Sequence, residues 1–342
     1  MKRLPFLLMI PLFLLCAGCG GQQEASRQFF AMDTVMNVTA YGPHGADAVQ
    51  AVQQTVSRLD GLLSRTDADS QISQLNAHAG DGTAVAVEAD VAQLLRLAQD
   101  ASGLLPGTFD VTIAPVMDAW GFTTDDRHVP TEQSLSDALA LVDGSALVVD
   151  EEASTARLER PGMEVDLGGI AKGFAARQAE AAFRAAGAEA GILDLGGNVT
   201  VIGSRPDGGA WRVAVKDPQD TERYLCVLSL SDVTASTSGG YERYFDEDGV
   251  RYHHIIDPRT GWPAENGLLS VTVVSADAVL ADVLSTSLFV AGEEQALDFW
   301  RGREDIELIL CTADGRVLVT EGLSDGFQPA EDGGYSYETV RR

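Results

Sequence analysis

Helix-like and strand-like hydrophobic patterns alternate along this 342-residue chain without a fixed rhythm, and that irregularity constrains its fold more than any other feature. Apolar residues recur at helical spacing over residues 46–63 and 89–101, whereas 29–41 alternates with the two-residue period of a strand. Residues 146–149 and 155–158 suggest a hairpin across Asp150-Glu151-Glu152. An Ala-rich helix over 170–186 closes at Gly187, and short strands follow at 191–195 and 200–203 around a Gly-rich turn. Two more strands are expected within 211–233 and a strong one over 268–275. A helix over 278–290 ends at Gly292, and a strand pair over 306–319 turns at Asp314-Gly315. A doubly wound sheet would repeat strand, helix and strand in order, so the pattern argues for the α+β class.

The N-terminus reads as an export signal. Lys2 and Arg3 precede an apolar run over 4–15 that is too short to span a bilayer and carries Pro5 and Pro11. Leu15-Cys16-Ala17-Gly18 then leads to Cys19 and a polar stretch. Small residues before a Cys resemble a bacterial lipobox, which implies that Cys19 is lipidated and becomes the first mature residue; ordinary cleavage with release is the alternative. The resulting expectation is a lipid-anchored, extracytoplasmic protein of the bacterial cell membrane. Cys226 and Cys311 each sit in a short apolar run and read as buried fillers, with a bond between them left open. The formal charge of −27 repels phosphate backbones and argues against nucleic acid as a partner. An anionic ligand would need a local positive element such as a metal ion, a helix N-terminus or a lone Lys.

Five segments carry chemistry. In Val165-Asp166-Leu167-Gly168-Gly169-Ile170-Ala171-Lys172-Gly173 a strand ending in an acid meets a helix through two glycines, which suits backbone amides approaching an anion, with Lys172 adding a point charge. It matches neither a Walker loop nor GxGxxG, and taken alone a plain tight strand-to-helix turn is the favoured explanation. Asp282, Ser285 and Thr286 share one helix face and can present three oxygens to a hard cation such as Mg²⁺. In His253-His254-Ile255-Ile256-Asp257-Pro258-Arg259-Thr260-Gly261 a short strand meets a turn, and strand geometry sends the two histidines to opposite sides. His254 is the candidate base titrating near neutral pH. The stretches Gly107-Thr108-Phe109-Asp110 and Ala31-Met32-Asp33-Thr34 complete the set, and by chemistry alone both suit a core.

In this order and spacing the segments resemble the ApbE family, the FAD:protein FMN transferases, over residues 29–292. Thr237-Ser238-Gly239 and the Ser70-Gln71-Ile72-Ser73-Gln74-Leu75-Asn76 stretch add to the match. The resemblance implies an ApbE-like fold of mixed or antiparallel sheets flanked by helices. It implies a signal peptide at 1–18, a tether at 19–28, a flavin transferase domain at 29–322 and a tail at 323–342. It further implies Mg²⁺-dependent transfer of FMN from FAD to a threonine of a target flavoprotein, such as a subunit of a membrane redox complex, with release of AMP. By position, Met32, Thr66, Thr108, Phe109, Asp110, Asp166, Lys172 and Ile256 fall where the family contacts FAD, and Gly169, Asp282, Ser285 and Thr286 where it holds the metal. His254 and Asp257 are the expected catalytic pair. Where relatives often carry a Tyr, this chain has Arg65-Thr66. An FAD pyrophosphatase using the same site and a non-catalytic FAD-binding lipoprotein are the competing readings.

Overall fold

The computed structural model describes residues 23–124, 126–331 and 333–342. The expected signal segment and Cys19 lie outside them. Nine strands form one sheet in which order in space follows order in the chain: β1 (Glu24–Ala31), β2 (Thr34–Tyr41), β3 (Ala190–Asp194), β4 (Asn198–Ile202), β5 (Val233–Gly239), β6 (Leu268–Ser275), β7 (Ile306–Thr312), β8 (Arg316–Thr320) and β9 (Ser336–Val340). All neighbours are antiparallel except β8 and β9, which run parallel. The α+β expectation holds.

Three helices, α1 (Gly45–Leu63), α2 (Ala171–Ala185) and α3 (Ala278–Ala291), pack along one face of the sheet and against each other. Side chains alternate along each strand, so the sheet has two distinct interiors. Met36 and Leu193 join the helix-side core with Val52, Phe174 and Phe183. Val201, Ala235 and Ile309 face the other way, onto a small sheet built from Trp211–Lys216, Tyr224–Leu230 and Phe327–Pro329. Helix α3 is apolar nearly all round because it is buried between the sheet and its neighbours. The Asp277 carboxylate caps its start by accepting the Val279 and Leu280 amides at 2.9 and 3.3 Å, and Gly292, at a φ of 85°, ends it. Among the described residues no helix is long and apolar enough to cross a membrane.

Three sequence expectations need correction. The single strand over 29–41 is the hairpin of β1 and β2, turned by Met32 and Asp33 at φ of 49° and 58°; two left-handed residues make the tight turn that suits twisted strands. Without an Asn-Gly or Asp-Gly signal, the turn was invisible to pattern. The last residues of the proposed 19–28 tether are therefore strand, with Glu24 paired to Tyr41. The proposed 323–342 tail is folded too. It supplies β9 and a strand of the small sheet, because the Tyr337 hydroxyl donates to the Leu225 carbonyl at 2.8 Å and Tyr335 to Asp217 at 2.6 Å. Cys226 and Cys311 are free and buried, and burial pushes both thiols up to about 12.

Candidate active site

The Asp282 carboxylate lies on α3, 4% exposed, with Oδ2 accepting the Gly173 amide of α2 at 2.7 Å. That approach needs a glycine: a Cβ at 173 would stand 2.5 Å from both the Ala278 carbonyl oxygen and the Asp282 Cβ. One turn further along α3, Ser285 is fully buried and Thr286 is partly open. Strand β5 meets them with its helix-facing hydroxyls. Ser236 reaches Asp282 Oδ1 at 3.4 Å, and Ser238 lies 2.8 Å from the Ser285 hydroxyl and 3.1 Å from that of Thr286. Neither serine was assigned a role from sequence. Their signal was the two-residue spacing on a strand flanked by apolar positions.

Gly169 sits between this cluster and Phe109. A Cβ there would lie 2.9 Å from the Phe109 ring and 3.8 Å from the Thr286 methyl. The turn at Gly168 and Gly169 differs from the open amide cradle expected. Asp166 Oδ1 takes the Gly168 amide at 2.7 Å, and Leu167's carbonyl takes those of Ile170 and Ala171. Lys172 extends to the Gly196 carbonyl at 3.1 Å, which leaves its two remaining protons for a ligand.

Loop 240–243 closes over the same region. Glu242 keeps open surface, but its carboxyl turns inward, with Oε1 3.4 Å from where a Cβ on Gly197 would stand. Burial pushes this carboxyl above the usual carboxylate range and the Asp282 charge adds to it, while Lys172, Lys216 and Arg243 oppose the rise. Sequence reading missed Glu242.

His254 follows the strand Val250–His253, and the carbonyl of Arg243 accepts both its backbone amide at 3.0 Å and its ring Nδ1 at 3.1 Å. A carbonyl only accepts, so the neutral ring carries its proton on Nδ1 and leaves Nε2 a free acceptor. The residue is half exposed, and its ring has protein packed around it. Burial, aided by the Arg243 charge, pushes it down to about 3, well below the near-neutral titration expected. His253 turns away: its ring stands edge-on to Phe289, and its Nδ1 accepts the Ile255 amide at 3.3 Å. The expected division between the two histidines holds.

Asp257 does not orient His254. Its carboxylate is gripped by Arg259, with Nη2 at 2.7 Å and Nε at 2.9 Å, and so fastens the turn after the histidine. Trp120 pins that turn as well, donating to the Gly261 carbonyl at 2.7 Å from a cluster of rings with Phe122, Phe245, Tyr252 and Trp262. Ile256 is buried in this cluster.

The remaining expected flavin contacts divide. Met32 stands at the hairpin turn, its amide held by Asp60 at 2.9 Å, and Asp33 beside it lies 3.9 Å from Arg243, so the hairpin tip borders the cleft. Asp110 is committed locally, one oxygen to Thr112 and the other to the Gly144 amide at 2.9 Å. Thr108 is buried and donates to the Leu105 carbonyl at 2.7 Å. Thr66 sits in a surface turn with Ser64, 3.2 Å between their hydroxyls. Arg65 is clamped by both Asp118 oxygens and by Glu164, and lies 3.8 Å from Asp166.

Does the cluster fit a cation? Among the described residues Asp282 has no ion-pair partner, and no three His, Cys, Asp or Glu side chains converge. One buried carboxylate among neutral oxygens suits a hard cation that completes its shell with water and ligand phosphates. The donor set fits Mg²⁺.

The ApbE family model matches residues 32–310. The chain belongs to the ApbE family. The FAD:protein FMN transferase of Klebsiella pneumoniae is 34% identical over 291 residues, 85% of this chain and 90% of that protein. The Treponema pallidum protein of the same name is 32% identical over 335 residues, covering 91% and 92%. Among solved structures, the ApbE protein of Thermotoga maritima superposes with a TM-score of 0.82 at 30% identity, covering 89% of this chain and 99% of that one. The flavin transferase ApbE of Vibrio cholerae gives 0.76 at 27%, covering 90% and 97%. The ApbE-like fold expected from the motifs is the fold observed.

Proposed function

We propose that this chain transfers FMN from FAD to a threonine hydroxyl of a flavoprotein in a Mg²⁺-dependent reaction that releases AMP. The observation that carries the reading is that the Asp282–Thr286 oxygen cluster, the Lys172 ammonium and the neutral His254 imidazole lie within electrostatic reach of one another: the Lys172 and Asp282 charges both act on Glu242, and that of Lys172 also acts on His254. The FAD pyrophosphate is anionic, and a chain of charge −27 holds it only with local positive charge. Asp282, Thr286 and the Gly169 carbonyl would hold Mg²⁺, which when bound neutralises charge on the phosphate oxygens. Lys172 binds the phosphates already in the ground state.

In the reaction the acceptor oxygen attacks the phosphorus on the FMN side. A new P–O ester bond forms, the P–O bond to AMP breaks, and the hydroxyl proton passes to His254 Nε2. Arg243 holds the imidazole in the tautomer this requires. Water in place of the hydroxyl would turn the enzyme into an FAD pyrophosphatase yielding FMN and AMP. Intact mass of a candidate acceptor, incubated with this protein, FAD and Mg²⁺, separates the two: one added FMN supports transfer, and free FMN with an unmodified acceptor overturns it. We also propose lipid anchoring at Cys19 outside the cytoplasm, which makes a subunit of a membrane redox complex the fitting acceptor. An unmodified N-terminus on membrane-free protein from the native host would overturn that placement.

A further inference from the structure

We propose that Ser238 is a positioning residue that turns the Thr286 lone pairs into the cation site, and that Ser285 anchors this chain of hydroxyls instead of binding the cation. The proposal rests on the Mg²⁺ reading of the cluster. It follows from proton counting, because each hydroxyl has one proton to donate and two lone pairs to accept with.

Ser285 spends its proton on the Asp282 backbone carbonyl at 2.8 Å, one turn back on α3. Its contact with Ser238 at 2.8 Å can then be a hydrogen bond only if Ser238 donates. Ser238 has no second proton, so its 3.1 Å contact with Thr286 requires Thr286 to donate. The direction is thereby set from Thr286 through Ser238 and Ser285 to the Asp282 carbonyl. Thr286 thus keeps both lone pairs, and the residue is partly open. Ser285 is in the opposite condition. It is fully buried and accepts from Ser238, and its remaining side is packed against Ser236 at 3.3 Å, whose one proton goes to Asp282 Oδ1, so a cation has no open approach to it. The last contact of the cluster, Ser236 to Asp282 Oδ1 at 3.4 Å, braces the carboxylate from the same strand. Strand β5 thus orients the ligands of α3, as outer partners orient ligands in metal sites generally.

Mn²⁺ binding to the full chain without FAD, read from the loss of the free-ion paramagnetic resonance signal, tests this apart from turnover. Ser238→Ala should weaken binding about ten-fold, the usual scale for losing an outer partner. Ser238→Cys, of similar shape but with a feeble donor, should do the same, and Ser238→Thr should restore wild-type affinity. Ser285→Ala should match Ser238→Ala, and the double variant should be little worse than either, because one chain is broken once. Unchanged affinity in Ser238→Ala and Ser238→Cys would overturn the proposal. So would a much larger loss in Ser285→Ala that adds to that of Ser238→Ala, the mark of a direct ligand. Absence of Mn²⁺ binding by the wild type would remove the Mg²⁺ reading and this proposal together.

Discussion

At the Asp282 end of the cleft the oxygens stand on a buried strand and a buried helix, whereas at the other end the reactive nitrogen of His254 stands on a loop held by aromatic rings. The first end is rigid by covalent economy: Asp282, Ser285 and Thr286 lie within one turn of α3, and Ser236 and Ser238 lie two residues apart on β5. The second is assembled from distant pieces, since the Arg243 carbonyl, the Trp120 ring and the Asp257–Arg259 pair each restrain the loop by a separate contact. The difference suits the two halves of the chemistry. Charge on a pyrophosphate is met by groups fixed before the ligand arrives, which avoids reorganisation during reaction. An acceptor protein must enter and leave, and a loop beside an open cleft admits it.

The largest effect should come from the rigid end. Asp282→Ala removes the one carboxylate of the cluster and should lower Mg²⁺-dependent transfer about a thousand-fold or more, as loss of electrostatic stabilisation does in related chemistry. It also strands the buried Gly173 amide, at a cost of about 1–3 kcal/mol in stability. Asp282→Asn keeps an acceptor for that amide, so it should melt close to wild type while losing the metal-dependent rate. Wild-type turnover by either variant would mean that the cluster holds no cation.

At the loop end, His254→Ala should bind FAD nearly normally and slow single-turnover transfer by about 10²–10⁴, the range for removing a general base. The acid limb expected near neutral pH is corrected by burial: with the ring at about 3, it stays neutral and competent through mildly acid pH in the free enzyme. The same depression makes a stability prediction. The unfolded chain, with this ring near 6.5, takes up the proton first, so the stability tied to a neutral His254 is complete above about 6.5 and is lost as pH falls toward about 3. Melting temperatures across that range should fall less in His254→Ala than in wild type.

The contrast between the ends also explains what was legible in sequence. Asp282, Ser285 and Thr286 could be grouped without a structure because helical spacing places them on one face. Helix α1, strand β6 and helix α3 were likewise readable, since α1 carries a helical period and β6 and α3 are apolar runs of strand and helix length. His254 could be preferred to His253, yet its partner could not be found: Arg243 is eleven residues away, and it acts through a backbone carbonyl that no side-chain pattern records. Glu242 was hidden for the same reason, being an ordinary acid in a turn until the fold walls it in. The β1–β2 hairpin and β9 were lost because their turn and edge depend on partners elsewhere in the sheet.

Lys172 bridges the two ends, and its effect should be intermediate. The ammonium is held by the Gly196 carbonyl, and in the proposed reaction it would meet phosphate before as well as during the step. Lys172→Ala should therefore weaken FAD binding about ten-fold in equilibrium titration and slow bound-state turnover no further, the signature of uniform binding. A fall in turnover with FAD affinity unchanged would assign Lys172 to the transition state alone.

The smallest effect tests whether Asp257 belongs to the chemistry or to the scaffold. If it oriented the imidazole, as the motif suggested, Asp257→Asn would impair transfer about as strongly as loss of the base, by 10² or more. The geometry predicts otherwise, because both Asp257 oxygens face Arg259, whose side chain is 50% exposed. A half-exposed ion pair contributes about 1 kcal/mol or less. Its amide acceptor also survives the change, since the Asn oxygen can still take the Arg259 backbone amide that Asp257 Oδ1 holds at 2.9 Å. Asp257→Asn should therefore lower the melting temperature slightly, change the transfer rate by no more than a few-fold and leave its pH profile in place. The tautomer of His254 depends on the Arg243 carbonyl, which this substitution does not touch. A displaced pH profile in Asp257→Asn would return Asp257 to the catalytic pair and give the loop end a second titrating group.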